Sequence, residues 1–214
     1  MTSFKTVLPG KVSSEFSSNE CLGVVLAGGL SSRMGQDKAK LLRNTTDMLN
    51  FSKQLLINSG VNNVVVSGNE YDIPDKVKNS GPVGGIYSVL SNFPQTKSLL
   101  ILPVDLPFMT TEILANLRIK GELSHKATYF EDHHIPLYLP NNAYIEMFFS
   151  KIFSNNSLIN SGNISGKATK KNGPSIKALL QQIPHQAIQC GDSEALFNTN
   201  TPEQWQQAKK QFNF

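Results

Sequence analysis

Cysteine is almost absent: Cys21 and Cys190 are the two in 214 residues. They form no Cys-x-x-Cys pair and no disulfide framework, which argues for a reducing, cytoplasmic setting and against a structural zinc. Long apolar runs are missing too, and no segment reaches the roughly 18 apolar residues that a membrane-spanning helix needs. The opening stretch carries Lys5, Lys11, Glu15 and Glu20 and reads as neither signal peptide nor anchor. Basic residues do not gather into a dense patch. The net charge of +4 suits an anionic ligand, yet Lys167, Lys170 and Lys171 form the one local cluster. A nucleic-acid surface would be denser, so nucleic acid is not an expected partner. No internal repeat of useful period is present, and no Ser–His or Cys–His constellation suggests an activated nucleophile.

What is present supports a buried core: 39% of residues are hydrophobic and 17% charged, outside the range of disordered chains. The length suits one domain on the usual scale of roughly 100–200 residues. Residues 1–20 are polar and irregular and are expected to form a loosely attached extension, with residues 21–214 as one domain.

Three short apolar runs, 22–27, 64–66 and 99–102, read as strands buried on both faces. Helical stretches follow each of them: one through Leu49, Leu55, Leu56 and Ile57 that Gly60 closes, one over about 86–92, and one over about 110–120. Gly81-Pro82-Val83-Gly84-Gly85 reads as the turn opening the second helix. This alternation predicts an α/β fold, a parallel sheet with helices on both faces. Further on, 127–130 and 135–139 read as strands joined by a 131–134 turn, 141–153 as helix, and 154–173 as a mobile polar loop. A short helix at 175–182, a strand at 186–189 and a final helix at 202–212, capped by Thr201, complete the pattern.

The segment with the clearest chemistry is Leu26-Ala27-Gly28-Gly29-Leu30-Ser31-Ser32-Arg33-Met34-Gly35-Gln36-Asp37-Lys38, directly after the first buried strand. Gly28 and Gly29 let a phosphate chain approach the backbone without a Cβ in the way. Their N–H groups, with those of Leu30 and Ser31, can form an anion-binding nest. Arg33 adds a fixed fork of donors and Lys38 a mobile point charge. A glycine pair alone would be an ordinary turn; two cations and Gly35 close behind it point to a phosphate. The pattern is neither a P-loop, which needs Gly-Lys-Ser/Thr, nor Gly-x-Gly-x-x-Gly. Asp105 ends the third apolar strand, where open α/β sheets collect ligands. A carboxylate there suits Mg²⁺, and an ordinary strand-end turn is the alternative.

The glycine segment closely resembles the signature of the molybdenum cofactor guanylyltransferase family, Leu-Ala-Gly-Gly-x-Ser-x-Arg-Met-Gly-x-Asp-Lys, and matches it at every fixed position. The resemblance runs in order from Gly23 to about Lys209. It implies a Rossmann-like three-layer sandwich of nucleotidyltransferase type with a mostly parallel central sheet. It also implies transfer of GMP from GTP to molybdenum-bound molybdopterin with release of pyrophosphate, using Mg²⁺. Arg33, Lys38 and Asp105 are then the catalytic residues, with Asp105 holding the metal. Leu26, Ala27, Gly28, Gly29, Lys38, Asn69, Asp75 and Asp105 are the nucleotide-binding residues it implies. Related cytidylyltransferases usually carry Ala-Gly where this chain has Gly28-Gly29, which favours GTP.

Asp75 before Gly81-Pro82-Val83-Gly84-Gly85 resembles the family's Asp and Gly-Pro-Leu-Ala-Gly; alone it reads as a solvated loop residue. Val66-Ser67-Gly68-Asn69 resembles a strand end that usually offers Asn to the base, with Ser67 in that place here and Asn69 retained. Phe197-Asn198-Thr199-Asn200-Thr201-Pro202-Glu203 reads first as a helix start, and the family's matching asparagines imply that Asn198 and Asn200 line the pterin or metal side of the cleft. Ile135-Pro136-Leu137 is similar to a His-Pro-Leu region, with Ile135 in place of the His. His133 and His134 are expected on a surface turn with no catalytic role. Molybdoenzymes or their chaperones are the implied downstream partners. Use of CTP, a sugar-phosphate acceptor, or nucleotide and pterin binding without turnover are the competing readings.

Overall fold

A computed structural model describes residues 20–28, 37–78, 80–153 and 173–212. Its organising element is a strand of six residues, Ser98–Pro103, every one of them buried. Leu99 and Ile101 face one side, and Leu100 and Leu102 the other, so two cores form back to back. Each such side chain contributes about 1.5–3 kcal/mol on burial, enough to place this strand at the centre.

In chain order the strands are β1 (Cys21–Leu26), β2 (Leu42–Arg43), β3 (Thr46–Asp47), β4 (Asn63–Ser67), β5 (Ser98–Pro103), β6 (Ala127–Phe130), β7 (His133–Pro140) and β8 (His185–Ile188). The helices are α1 (Met48–Asn58), α2 (Gly81–Asn92), α3 (Thr111–Ser124), α4 (Ala143–Phe153), α5 (Ile176–Leu180) and α6 (Pro202–Phe212). Six strands form one sheet in the order β4-β1-β5-β7-β6-β8, and β2 and β3 make a separate hairpin. Pairing is parallel in β4-β1-β5 and in β6-β8, while β7 runs antiparallel to both β5 and β6. The expected mostly parallel sheet is therefore present, with one strand reversed.

One face carries α1, α3 and α6 through Leu55, Leu56, Leu114, Leu117, Trp205 and Phe212. The other carries α2, α4 and α5 through Val83, Ile86, Phe148, Phe149 and Leu179. These are the three layers of the sandwich. Gly60 takes φ 96° after α1, the left-handed residue the sequence called for. Thr201 caps α6, accepting from Gln204 N at 3.3 Å.

Three expectations change. Gly81-Pro82-Val83-Gly84-Gly85 is not a turn before a helix but the first turns of α2 itself. Proline is tolerated at a helix start. The glycines answer to neighbours: a Cβ on Gly84 would run into Ser80, and one on Gly85 would lie 2.7 Å from Ser67 Oγ. The 131–134 turn shrinks to Glu131 and Asp132, with Asp132 at φ 62°. His133 and His134 instead begin β7, where His134 stacks on Tyr129 at 5.6 Å. Finally, Glu20 belongs to the fold rather than to an extension. Its carbonyl accepts from Thr96 Oγ1 at 2.8 Å and from Lys97 N at 3.3 Å. The rest of the expected extension and the 154–173 loop lie outside the described residues, except Gly173, which packs on the Ser80 backbone.

Candidate active site

β1 and β5 are neighbours in parallel register, with Leu26 beside Pro103. Both strands therefore release the chain at the same edge, and Val104 N donates to Leu26 O at 3.3 Å across the gap. This edge is the carboxyl end of the parallel strands, where such sheets bind ligands.

Ala27 and Gly28 leave β1 bonded to β4: both backbone N–H groups donate to Ser67 O at 3.0 Å. The Gly28 N–H is thus not a free donor for phosphate, which corrects the nest expected there. Its partner is the end of the adjoining strand, which closes the turn before the chain can open toward a ligand. Gly28 has a structural ground of its own, since a Cβ there would lie 3.1 Å from Gly68 Cα. Leu26 is half-buried beneath this turn. Gly29, Leu30, Ser31, Arg33 and Gly35, the remaining members of the predicted loop, lie outside the described residues.

The chain returns at Asp37, whose side chain caps a short 3-10 turn, Lys38–Lys40, by accepting from Ala39 N at 3.0 Å. Asp37 also accepts a hydrogen bond from the Tyr71 hydroxyl at 2.6 Å. Burial, and then this bond to a carboxylate, push the Tyr71 pKa well above the usual phenol range. The cap and the tyrosine together fix where Lys38 begins.

Lys38 Nζ donates to Asp105 Oδ2 at 2.9 Å and to Asn200 Oδ1 at 2.8 Å. Both charged side chains are largely shielded, at 16% and 15% exposure. The predicted loop lysine, strand-end carboxylate and C-terminal asparagine therefore meet at one point. The backbone carbonyl of Asp105 accepts from Thr199 N at 3.0 Å and Thr199 Oγ1 at 3.2 Å. That clamp draws the 198–200 segment onto the strand end. Two oxygens in this region, Asp105 Oδ1 and Asn198 Oδ1, are buried with no hydrogen-bond partner among the described residues. Buried acceptors are normally satisfied, so such atoms call for a ligand or ion. Hard anionic and amide oxygens of this kind suit a divalent cation such as Mg²⁺.

Asn69 and Asp75 are brought together on the rim: the Asp75 N–H donates to Asn69 Oδ1 at 3.3 Å. Asn69 is exposed and Asp75 half-buried. Burial raises the Asp75 carboxyl above its ordinary value. It is thus not simply solvated, and its charge is held at some cost. His133 and His134 open β7, which runs antiparallel to β5, so this end of the strand lies at the sheet edge where β5 ends; His134 stacks there on Tyr129.

Sequence reasoning missed Tyr71, Thr199 and the capping role of Asp37. Asp37 stood within the quoted motif, and an Asp directly before a short helical turn is a cap signal. Nothing local marked Tyr71, because its partner is 34 residues away along the chain.

Residues 23–147 match the MobA-like NTP transferase domain. The chain is 36% identical over 188 residues to the molybdenum cofactor guanylyltransferase of Xanthomonas euvesicatoria pv. vesicatoria (strain 85-10), covering 86% of this chain and 91% of that one. Among solved structures, the molybdopterin-guanine dinucleotide biosynthesis protein A of Archaeoglobus fulgidus aligns with a TM-score of 0.64 at 19% identity, covering 88% of this chain and 97% of that one. A Mycobacterium tuberculosis H37Rv protein in complex with manganese aligns with a TM-score of 0.52 at 13% identity, over 89% and 97% of the two chains.

Proposed function

The chain belongs to the MobA-like NTP transferase family, and from that premise we propose that it transfers GMP from GTP to molybdenum-bound molybdopterin and releases pyrophosphate. The observation that carries this reading is the meeting of Lys38, Asp105 and Asn200 at the carboxyl edge of the sheet. A relative similar over nearly its whole length is named a molybdenum cofactor guanylyltransferase, which supports guanosine and the pterin acceptor. Molybdoenzymes or their chaperones are the expected recipients of the product.

Lys38 is proposed to bring a positive charge to the triphosphate, with two of its three N–H bonds taken by acceptors among the described residues. Asp105, through the Oδ1 that has no partner among the described residues, would hold Mg²⁺, with Asn198 Oδ1 as a second oxygen in the same region. A divalent ion bound there supplies neutralisation of the charge that develops on phosphate oxygens. Arg33, in the glycine loop, is proposed to add a second cation to the phosphates. Asn69 and Asp75 on the rim are proposed to meet the base and ribose side of the nucleotide. In the reaction an oxygen of the pterin's terminal phosphate bonds to the α-phosphorus, and the bond from that phosphorus to the β-phosphate oxygen breaks. Pyrophosphate carries away the electron pair. The attacking phosphate is already ionised near neutral pH, so positioning and charge stabilisation are what the protein must provide.

The same proposal places the enzyme in the cytoplasm, which the free thiols of Cys21 and Cys190 support. Among the described residues no helix is long and apolar enough to cross a membrane.

The test is incubation of the full chain with GTP, Mg²⁺ and molybdenum-loaded molybdopterin, followed by mass analysis of the pterin and assay of pyrophosphate. The expected result is a guanine dinucleotide of the pterin, one pyrophosphate per product, and no product with CTP. Preferential use of CTP, turnover on a sugar phosphate instead, or GTP binding without Mg²⁺-dependent product would overturn the reading.

A further inference from the structure

We infer that Asn200 is a positioning residue for Lys38, so that the C-terminal segment takes part in nucleotide capture and does more than face the acceptor. The inference rests on the nucleotidyltransferase reading of the site and adds a role to one of its residues.

A lysine ammonium sits on a flexible four-carbon stem and is a point charge without a preferred direction. A single contact with Asp105 would leave it free to swing around the carboxylate. The second acceptor, Asn200 Oδ1 at 2.8 Å, comes from 162 residues further along the chain. Two fixed acceptors define the direction of the remaining N–H. The second acceptor is also neutral. An amide oxygen orients the ammonium without cancelling its charge, whereas a second carboxylate would leave nothing to attract a phosphate.

Asn200 can act this way because it is itself held. Its backbone N–H donates to Gln204 Oε1 at 2.7 Å, and the Thr201 N–H donates to the same oxygen at 3.1 Å. With the Gln204 N–H bonded to Thr201 Oγ1 at 3.3 Å, this is a reciprocal capping box. The helix it caps is anchored by Trp205, Ala208 and Phe212 in the core. On the other side, Thr199 is clamped to the Asp105 carbonyl by two hydrogen bonds. The asparagine thus stands on a rigid span fixed to the strand end and to the helix.

The test is a double-mutant cycle of Asn200→Ala and Lys38→Ala, read as the affinity of the full chain for GTP with Mg²⁺ by calorimetry, without acceptor. Asn200→Ala should weaken nucleotide binding roughly tenfold, the scale of a lost hydrogen bond to a charged group. The melting temperature should stay unchanged. In the Lys38→Ala background, Asn200→Ala should have no further effect on affinity, because it acts through the lysine. Unchanged GTP affinity would overturn the inference and leave Asn200 to the acceptor side. An equal loss of affinity in both backgrounds would overturn it in favour of an independent nucleotide contact. The cycle is read from nucleotide binding alone, so it stands apart from whether guanylate transfer to the pterin is observed.

Discussion

The two edges of the sheet make a useful contrast. At the edge where β1 and β5 begin lies a cavity of about 550 Å³, lined by Cys21, Asn62, Arg118, Glu122, His125 and Tyr138 among others. Its polar groups satisfy one another. Arg118 grips both Glu122 oxygens at 2.7 and 2.8 Å and donates from Nε to Ser59 O at 3.0 Å, while Asn62 donates to Glu20 at 2.6 Å. Burial pushes the Cys21 thiol up to about 11, so it stays protonated and unreactive. At the opposite edge two buried oxygens have no partner among the described residues, and burial disfavours the charge of the Asp75 carboxyl. Space without unmet polar demand is a packing gap; the chemistry sits where demand is left open.

The sharpest way to break this contrast is Asp105→Asn. Turnover should fall by about 10²–10³-fold or more, the scale of removing one group that stabilises transition-state charge. The thermal unfolding midpoint should hardly move. A near-normal rate in a steady-state assay, or an unchanged metal titration, would deprive Asp105 of its role. Arg118→Ala should do the reverse. It removes the pair with Glu122 and leaves the Ser59 carbonyl without its guanidinium donor, a loss of about 1–2 kcal/mol. Urea unfolding reads that loss, and turnover should stay within about twofold because the residue lies at the far edge. Collapse of activity at unchanged stability would show that the cavity at the far edge matters to the reaction after all.

The smallest effect concerns Asp75. Burial raises its carboxyl pKa, so the folded state disfavours the ionised form. Stability should fall as pH rises between the ordinary carboxylate value and the raised one, and remain lower above it. Asn at this position removes that dependence. Asp75→Asn should therefore raise the unfolding midpoint slightly at neutral pH, and the difference should vanish in acid, where both side chains are neutral. A midpoint lowered at neutral pH would show that the charge stabilises the fold instead.

Much of this was legible locally. The apolar runs that became β1, β4 and β5 are buried on both faces, and no other residue pattern serves such strands as well. Thr201-Pro202-Glu203 announced α6 because caps are read from adjacent residues. The β2–β3 hairpin escaped because two-residue strands carry no alternation to detect. The start of α2 escaped because its glycines answer to Ser80 and Ser67, contacts that no helix propensity contains. For the site, Lys38 and Asp105 could each be named from a motif. Their joining to Asn200 could not, since a bond between the first and last parts of the fold leaves no trace in local spacing.

That last bond also has a bearing on when the protein becomes active. Thr199 leaves the ribosome 94 residues after Asp105, and Asn200 162 residues after Lys38. Domains fold as their segments emerge during synthesis, so the sheet can assemble while the charged pair still lacks its C-terminal clamp. Full capture of GTP then awaits residues 199 and 200. A chain cut short before residue 199 would lack the second acceptor for Lys38 and should capture nucleotide more weakly.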